Sequence, residues 1–187
     1  MLHLLRILCR DLRSRQGRFA ALQWLLRDCP GEFGVQLRVR LYRSYFCKVG
    51  SRLRIAQNVL IHHPELITAG DSVSIGESNV MDAAGTVVIG SNVMFGPVGR
   101  ILSRERGPDY PSGNGRVTIG SNVWIGAGSC VMPGAVIPDG VVVSAGSVVG
   151  DRALPCFAIV AGNPVRVIGS RYQSQQAAKG QPEPAET

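Results

Sequence analysis

Aliphatic residues return at every sixth position through the second half of the chain: Ile119, Ile125, Val131, Ile137, Val143 and Val149. Four positions after each stands a residue that is small or Val: Val123, Ser129, Ala135, Val141, Ser147 and Ala153. The same frame occupies Ile89, Phe95 and Ile101. A second frame runs through Ala69, Ile75 and Met81, and a third through Ile55, Ile61 and Ile67, so the phase slips by two residues near 67–69 and again between 81 and 89. A period of six is no multiple of the helical repeat of about 3.6 residues per turn, but it is a multiple of the two-residue repeat of a strand. The pattern predicts short strands joined by tight corners, each six-residue unit turning one aliphatic residue inward. IGSNV, at 89–93 and again at 119–123, is one such unit. Eighteen of the 100 residues from 70 to 169 are Gly, a density that no long helix tolerates and that corners with φ > 0 favour. Stacked units of this kind bury one continuous aliphatic column, each coil touching its neighbours.

Residues 1–50 follow another rule. Leu22, Leu25 and Leu26 share a helical face, Arg residues interleave with aliphatics, and Pro30-Gly31 separates a first helix from a second expected over Val35 to Phe46. An open solenoid end needs cover, so this segment is read as a short helical cap. Its basic, amphipathic character also fits contact with anionic lipid, and one face can pack while the other does not. The solenoid is expected over 51–170. It is broken at 102–116, LSRERGPDYPSGNGR, a polar stretch with no aliphatic residue in frame, and such a loop in a compact solenoid usually serves function. The tail 171–187 is polar and is expected to be disordered.

Charge sharpens this division. The net +7 of the 187 residues splits into +9 for residues 1–54 and −2 for residues 55–187. The repeat body is thus not a basic nucleic-acid surface, and nucleic acid is not an expected partner. Arg interrupts each apolar run near the N-terminus, so neither a membrane span nor a cleaved signal peptide is expected. The five Cys show no CxxC spacing, and the three His are too few and too clustered for a His-rich metal site in the repeat, so no metal is expected. Reduced thiols point to a cytoplasmic setting, with the basic segment allowing a peripheral position at the inner face of a membrane.

VTIGSNVWIGAGSCVMPGAVIPDGVVVSAGSVV (117–149), followed by AGNPVRVI (161–168), resembles the hexapeptide-repeat acyltransferases, and within them the sugar O-acetyltransferase branch of galactoside, maltose and surface-polysaccharide acetyltransferases. The resemblance spans roughly residues 52–170. It implies a mainly β chain: a left-handed parallel β-helix of triangular section, three hexapeptides per coil, assembling as a homotrimer with sites between subunits. It implies acetyl-CoA as donor and a sugar hydroxyl as acceptor, in surface-polysaccharide or lipid-linked glycan synthesis. Gly126 and Ala127, and one coil later Ala145 and Gly146, would line the CoA slot, with Asn163, Pro164 and Arg166 at the adenosine end and Arg171 a second candidate for the phosphates. Trp124, Asn79 and Asp82 are the acceptor-side candidates, with a turn contact the other reading for the last two.

The acetyl transfer needs a base, and His is the usual one because its pKa lies near the working pH. In similar enzymes a Thr-His-x-His-like pattern in the loop supplies it. The matching stretch here is Ser103-Arg104-Glu105-Arg106, and no His follows His63. Glu105 and Arg104 are therefore the catalytic candidates, the first as a carboxylate base and the second as a binder of an anionic acceptor or of the developing oxyanion. The flanking Arg residues make Glu105 a weak base. His62 and His63 lie about two coils below the loop, roughly 10 Å away at the usual strand spacing, and are read as surface turn residues. A non-catalytic binding or scaffold protein of the same fold is the alternative.

Overall fold

The computed structural model describes residue 10, residues 12–104 and residues 115–171. Among the described residues, fifteen short strands build a parallel β-solenoid of five triangular coils. Face A consists of β1 (Lys48–Val49), β4 (Ile67–Ala69), β7 (Val87–Ile89), β10 (Val117–Ile119) and β13 (Val136–Ile137). Face B stacks β2 (Arg54–Ile55), β5 (Ser74–Ile75), β8 (Met94–Phe95), β11 (Trp124–Ile125) and β14 (Val142–Val143). Face C holds β3 (Leu60–His62), β6 (Val80–Asp82), β9 (Arg100–Leu102), β12 (Cys130–Val131) and β15 (Val148–Val149). The hairpin of β16 (Ala158–Gly162) and β17 (Val165–Ser170) then extends face B; β16 pairs in parallel with β14, while β16 and β17 are antiparallel. That closing hairpin departs from the expectation of a hexapeptide solenoid running to 170.

The six-residue pattern is the inward column. On face B, Ile55, Ile75, Phe95, Ile125, Val143 and Val160 are paired in register and all are buried. The phase slips have one cause. The coils starting at β4 and β7 follow the previous coil by 20 residues rather than 18, as the pairs Thr68 with Lys48 and Val88 with Thr68 record. The extra residues lie at the corner between faces C and A. Strands β4 and β7 are each buried at both ends, Ile67 with Ala69 and Val87 with Ile89, so each slip leaves two inward residues flanking one outward residue.

Helices α1 (Arg15–Leu26) and α2 (Gly31–Tyr42) cover the open end of the first coil. Pro30 is the residue that precedes the first turn of α2 rather than the middle of a break, which moves the second helix four residues earlier than expected; Pro has no N–H to lose where a helix begins. The cover works by imitating a strand. Gln23 donates to the carbonyl of Ile61 at 2.9 Å and accepts from its N–H at 2.8 Å. The fully buried Arg38 donates to the carbonyl of Ile55 at 3.0 Å and to those of Leu26 and Cys29 at 3.0 and 2.7 Å. Each satisfies strand groups that a preceding coil would otherwise have met, which is what an open sheet edge requires. Tyr42, fully buried edge-on against Phe19, has its hydroxyl pushed up to about 12 by that burial. Since β1 begins at Lys48, the cap ends slightly before residue 50.

Candidate functional site

The candidate residues fall on two corners. At the corner between faces B and C, the strand register aligns Ala127 with Ala145, Gly128 with Gly146, and Gly162 above them, because Ile125, Val143 and Val160 are partners. The turn of the β16–β17 hairpin, with Asn163 and Pro164, therefore stands over the same corner, and the Gly162 N–H donates to Ser147 Oγ at 3.2 Å. Arg166 is exposed on β17 opposite Ala161, and its side chain forms no hydrogen bond or ion pair with the described residues. Arg171 is engaged elsewhere: it donates to the carbonyls of Asn122 and Gly140 at 2.8 and 3.1 Å, tying down the A/B corner, so it is not offered to a cofactor phosphate.

The backbone of this corner divides into used and unused donors. The N–H groups of Gly126, Gly128 and Gly146 are bonded to the carbonyls of Val143, Pro97 and Ala127, so they are not available to a ligand. Those of Ala127 and Ala145 have no partner among the described residues, and both residues are exposed. Gly126 is buried by close stacking: a Cβ there would stand 2.5 Å from the Ala145 nitrogen. At Gly128 and Gly146 (φ +67° and +68°) a Cβ would meet nothing within 4 Å. The corner is thus an open, small-residue ledge with two N–H donors that no described residue uses, which fits a long amide-bearing chain such as pantetheine. Just below Gly128, Val98 holds a left-handed φ of 63° and is 63% exposed, an unfavourable conformation for a β-branched residue. The hexapeptide pattern gave no hint of it.

The second corner joins faces C and A. His62, Asp82 and Leu102 are register partners on successive coils, and the loop departs directly after Leu102. His62 is therefore two coil steps below the loop, with no offset around the triangle. Ser103 anchors the departure: it is fully buried, and its hydroxyl donates to the Asp82 carbonyl at 3.0 Å and accepts from the Gly85 N–H at 2.8 Å. Arg104 follows and is exposed; Glu105 lies outside the described residues. Asp82 Oδ1 accepts from the Ala84 N–H at 3.3 Å, a local turn contact. At the foot of this corner a cleft of about 610 Å³ opens between α1 and the first coil, lined by Gln16, Trp24, His62 and His63 among others. Gln16 donates to Glu65 at 3.0 Å. Burial would raise the Glu65 carboxyl, but the bonds from Gln16, its own backbone and His63 outweigh it and hold the group below its usual range.

Two acceptor-side expectations change. Asn79 is 1% exposed, and its amide donates inward to the carbonyls of Gly76 and Gly96, both at 2.8 Å. It is a corner strut of the interior, in the same column as the buried Ser129 and Ser147, and it is not presented to an acceptor. Trp124 is 52% exposed on face B, between Met94 and Val142 in register. Face B is opposite the C/A corner in the triangle, so within one chain Trp124 stands away from the point where the loop departs, after Leu102. Among the described residues no group of His, Cys, Asp and Glu is arranged to hold a metal ion.

A parallel β-solenoid with a small-residue corner ledge and a loop at the next corner defines the class of hexapeptide-repeat transferases. The bacterial transferase hexapeptide family (six repeats) matches residues 116–151. The chain is 31% identical to the galactoside O-acetyltransferase of Escherichia coli, over 86% of this chain and 81% of that one. It is 28% identical to WcaF of Escherichia coli, an acetyltransferase assigned to colanic acid biosynthesis, over 74% of this chain and 77% of that one. It also resembles the crystal structure of a hexapeptide-repeat acetyltransferase from Vibrio cholerae in complex with acetyl coenzyme A, at 26% identity and a TM-score of 0.72, covering 86% of this chain and 87% of that one. The chain belongs to the hexapeptide-repeat acyltransferases, in the sugar O-acetyltransferase branch, and its solenoid is the left-handed β-helix of that family.

Proposed function

We propose that the protein transfers an acetyl group from acetyl-CoA to a hydroxyl of a sugar, within surface-polysaccharide or lipid-linked glycan synthesis at the cytoplasmic side of a membrane. The observation that carries this reading is the ledge at the B/C corner. Ala127 and Ala145 offer unpaired N–H groups beside the open side of Gly128 and Gly146, and the Asn163-Pro164 turn and Arg166 stand at its upper end. Acetyl-CoA supplies the activated acetyl carbon. The acceptor oxygen attacks it while its proton passes to a base, the carbon–sulfur bond breaks, and the proton is returned to the departing thiolate so that CoA leaves as the thiol. The likeness to WcaF supports a polysaccharide acceptor.

The ledge and the point where the loop departs are separated by face C in one chain, and we read the complete site as the ledge of one subunit with the loop corner of a neighbour. This supports a homotrimer. The outward apolar row of Met94, Trp124 and Val142 on face B supplies a surface for such a contact. The loop contributes Arg104 and Glu105, and Asp82 and His62 form the column beneath it.

A second reading rests on one observation: no His follows His63, so the loop lacks the customary base. Under it the trimer binds CoA or glycan without turnover. Calorimetry with acetyl-CoA, paired with thiol release against a glycan panel, separates the two. Binding with acceptor-dependent release supports the transferase. Binding without release on any acceptor supports the scaffold, and absence of binding overturns both the ledge and the enzyme. Replacing Ala145 by Trp fills the ledge and is expected to abolish acetyl-CoA binding while leaving the fold intact. If release is seen, Glu105→Gln and Arg104→Ala test the loop; unchanged rates in both would leave His62→Asn as the decisive variant.

A further inference from the structure

The cap leaves several large apolar side chains exposed. In α1 the buried residues are Phe19, Gln23 and Leu26, whereas Trp24 is 82% and Leu25 68% exposed. In α2 the buried residues include Arg38, whereas Phe33 is 73% exposed and Leu41 is exposed as well. A helix that merely covered a coil would carry the reverse pattern, with its polar residues outside. Both helices turn their buried faces to the first coil, through Gln23 on Ile61 and Arg38 on Ile55, and their exposed side chains make up the outer surface of the cap.

That surface is also strongly cationic. Arg13, Arg15, Arg18, Arg40 and Arg43 are exposed on or beside the two helices. Among the described residues the ion pairs of the cap, Arg27 with Asp28 and Arg54 with Glu32, involve none of them. The bonds that Arg15, Arg18 and Arg43 make go to backbone carbonyls, so no described carboxylate neutralises them. Aromatic and aliphatic side chains among these Arg residues match the boundary of an anionic bilayer, where rings and Leu enter the headgroup region and guanidinium groups meet phosphates. A second copy of the chain is a poor occupant, since it would bring the same positive charge against this face. No helix among the described residues is long and apolar enough to cross a membrane.

We propose that the α1–α2 hairpin is a peripheral docking surface for anionic phospholipid, with Trp24, Leu25 and Phe33 as the inserting residues and Arg13, Arg18 and Arg40 as the phosphate contacts. Its role is separable from that of the cap, because the residues that close the coil, Gln23 and Arg38, are buried.

The test is sedimentation of the full chain with vesicles of phosphatidylcholine alone and of phosphatidylcholine with phosphatidylglycerol, at low and high salt. The expected result is binding only to the anionic vesicles, weakened by salt. The triple variant Trp24→Ser, Leu25→Ser, Phe33→Ser should bind at least about tenfold more weakly, with an unchanged circular dichroism spectrum and melting temperature. The charge variant Arg13→Glu, Arg40→Glu should lose the salt dependence as well as most of the binding. The proposal is overturned by absence of anionic-vesicle binding, or by equal binding of wild type and triple variant. It is also overturned if light scattering shows a wild-type assembly that the triple variant dissociates, since that assigns the face to another copy of the chain. Because acetyl-CoA binding is read separately, failure here leaves the proposed transfer reaction standing.

Discussion

The two corners that bound face C are made from the same repeat, yet they differ in how each coil turns. At the B/C corner every coil uses one conformation, a left-handed residue at Asn58, Ser78, Val98, Gly128 and Gly146 in succession. Coil stacks on coil there without change of length, and the only variable is the size of the side chain. At the C/A corner the length itself varies: the turn after His62 and the turn after Asp82 each hold two extra residues, the turn after Leu102 becomes the loop, and the turn after Val131 is tight again. A solenoid tolerates insertion wherever the chain re-enters register afterwards, because strand pairing fixes the coils and the corner outside them is free to lengthen. The uniform corner suits a rigid slot for a fixed donor. The variable corner is where a coil can lengthen without disturbing that slot.

This contrast can be broken by mutation, beginning with the uniform corner. Gly126→Val places a Cβ against the Ala145 nitrogen and must push adjacent coils away from each other, so we expect a loss of about 3 kcal/mol in a denaturant melt. A Val tolerated there would mean that the corner is not rigid. Ser103→Ala removes the hydroxyl that holds Asp82 and Gly85 together at the loop's departure. It should cost about 1–2 kcal/mol and lower thiol release while acetyl-CoA affinity stays constant. A matching fall in affinity would merge the two corners into one functional unit. Val98→Gly acts in the opposite direction: relief of the left-handed strain should stabilise the chain by about 1 kcal/mol, and any accompanying loss of acetyl-CoA binding would assign the exposed Val98 side chain a place on the ledge.

The smallest effect falls at the A/B corner and serves as a control. Asp71 accepts from the backbone N–H and the hydroxyl of Ser51, and these bonds hold its carboxyl below the usual range. A carboxylate with a depressed folded pKa contributes stability above its unfolded pKa and loses it as pH falls through the folded value. Asp71→Asn should therefore flatten the acid limb of the stability profile slightly and leave neutral activity unchanged. A change in acetyl-CoA binding would show that distant corners are coupled.

Much of this architecture is legible in residue order. Inward Ile and Val at every sixth position specify stacked strands, and the Gly and Asn that follow them specify corners. Ala127 stacks with Ala145, and Gly128 with Gly146, as their 18-residue separation requires. Asn79 is ambiguous in sequence because its type suits a sugar contact as well as an interior strut, and only its place in the buried column with Ser129 and Ser147 decides between them. Trp124 is outward, as its position predicts, but which corner it faces depends on how three strands close a triangle. The start of the second helix is ambiguous for a similar reason: Pro30 suits a break as well as the residue that starts α2.

What the sequence determines by itself is everything that depends on period: the solenoid, its aliphatic column, the loop, and the separation of a basic cap from a slightly acidic body. These are local, since each six-residue unit meets the same neighbours in every coil. Tertiary structure alone decided which face each unit occupies, that His62, Asp82 and Leu102 form one column, that the ledge and the loop stand on different corners, and that the cap turns Trp24 and Phe33 outward while burying Arg38. Those relations depend on the accumulated turn of the chain. Two residues added at a corner leave the hydrophobic rhythm almost unaltered, yet they set which residues become neighbours across coils.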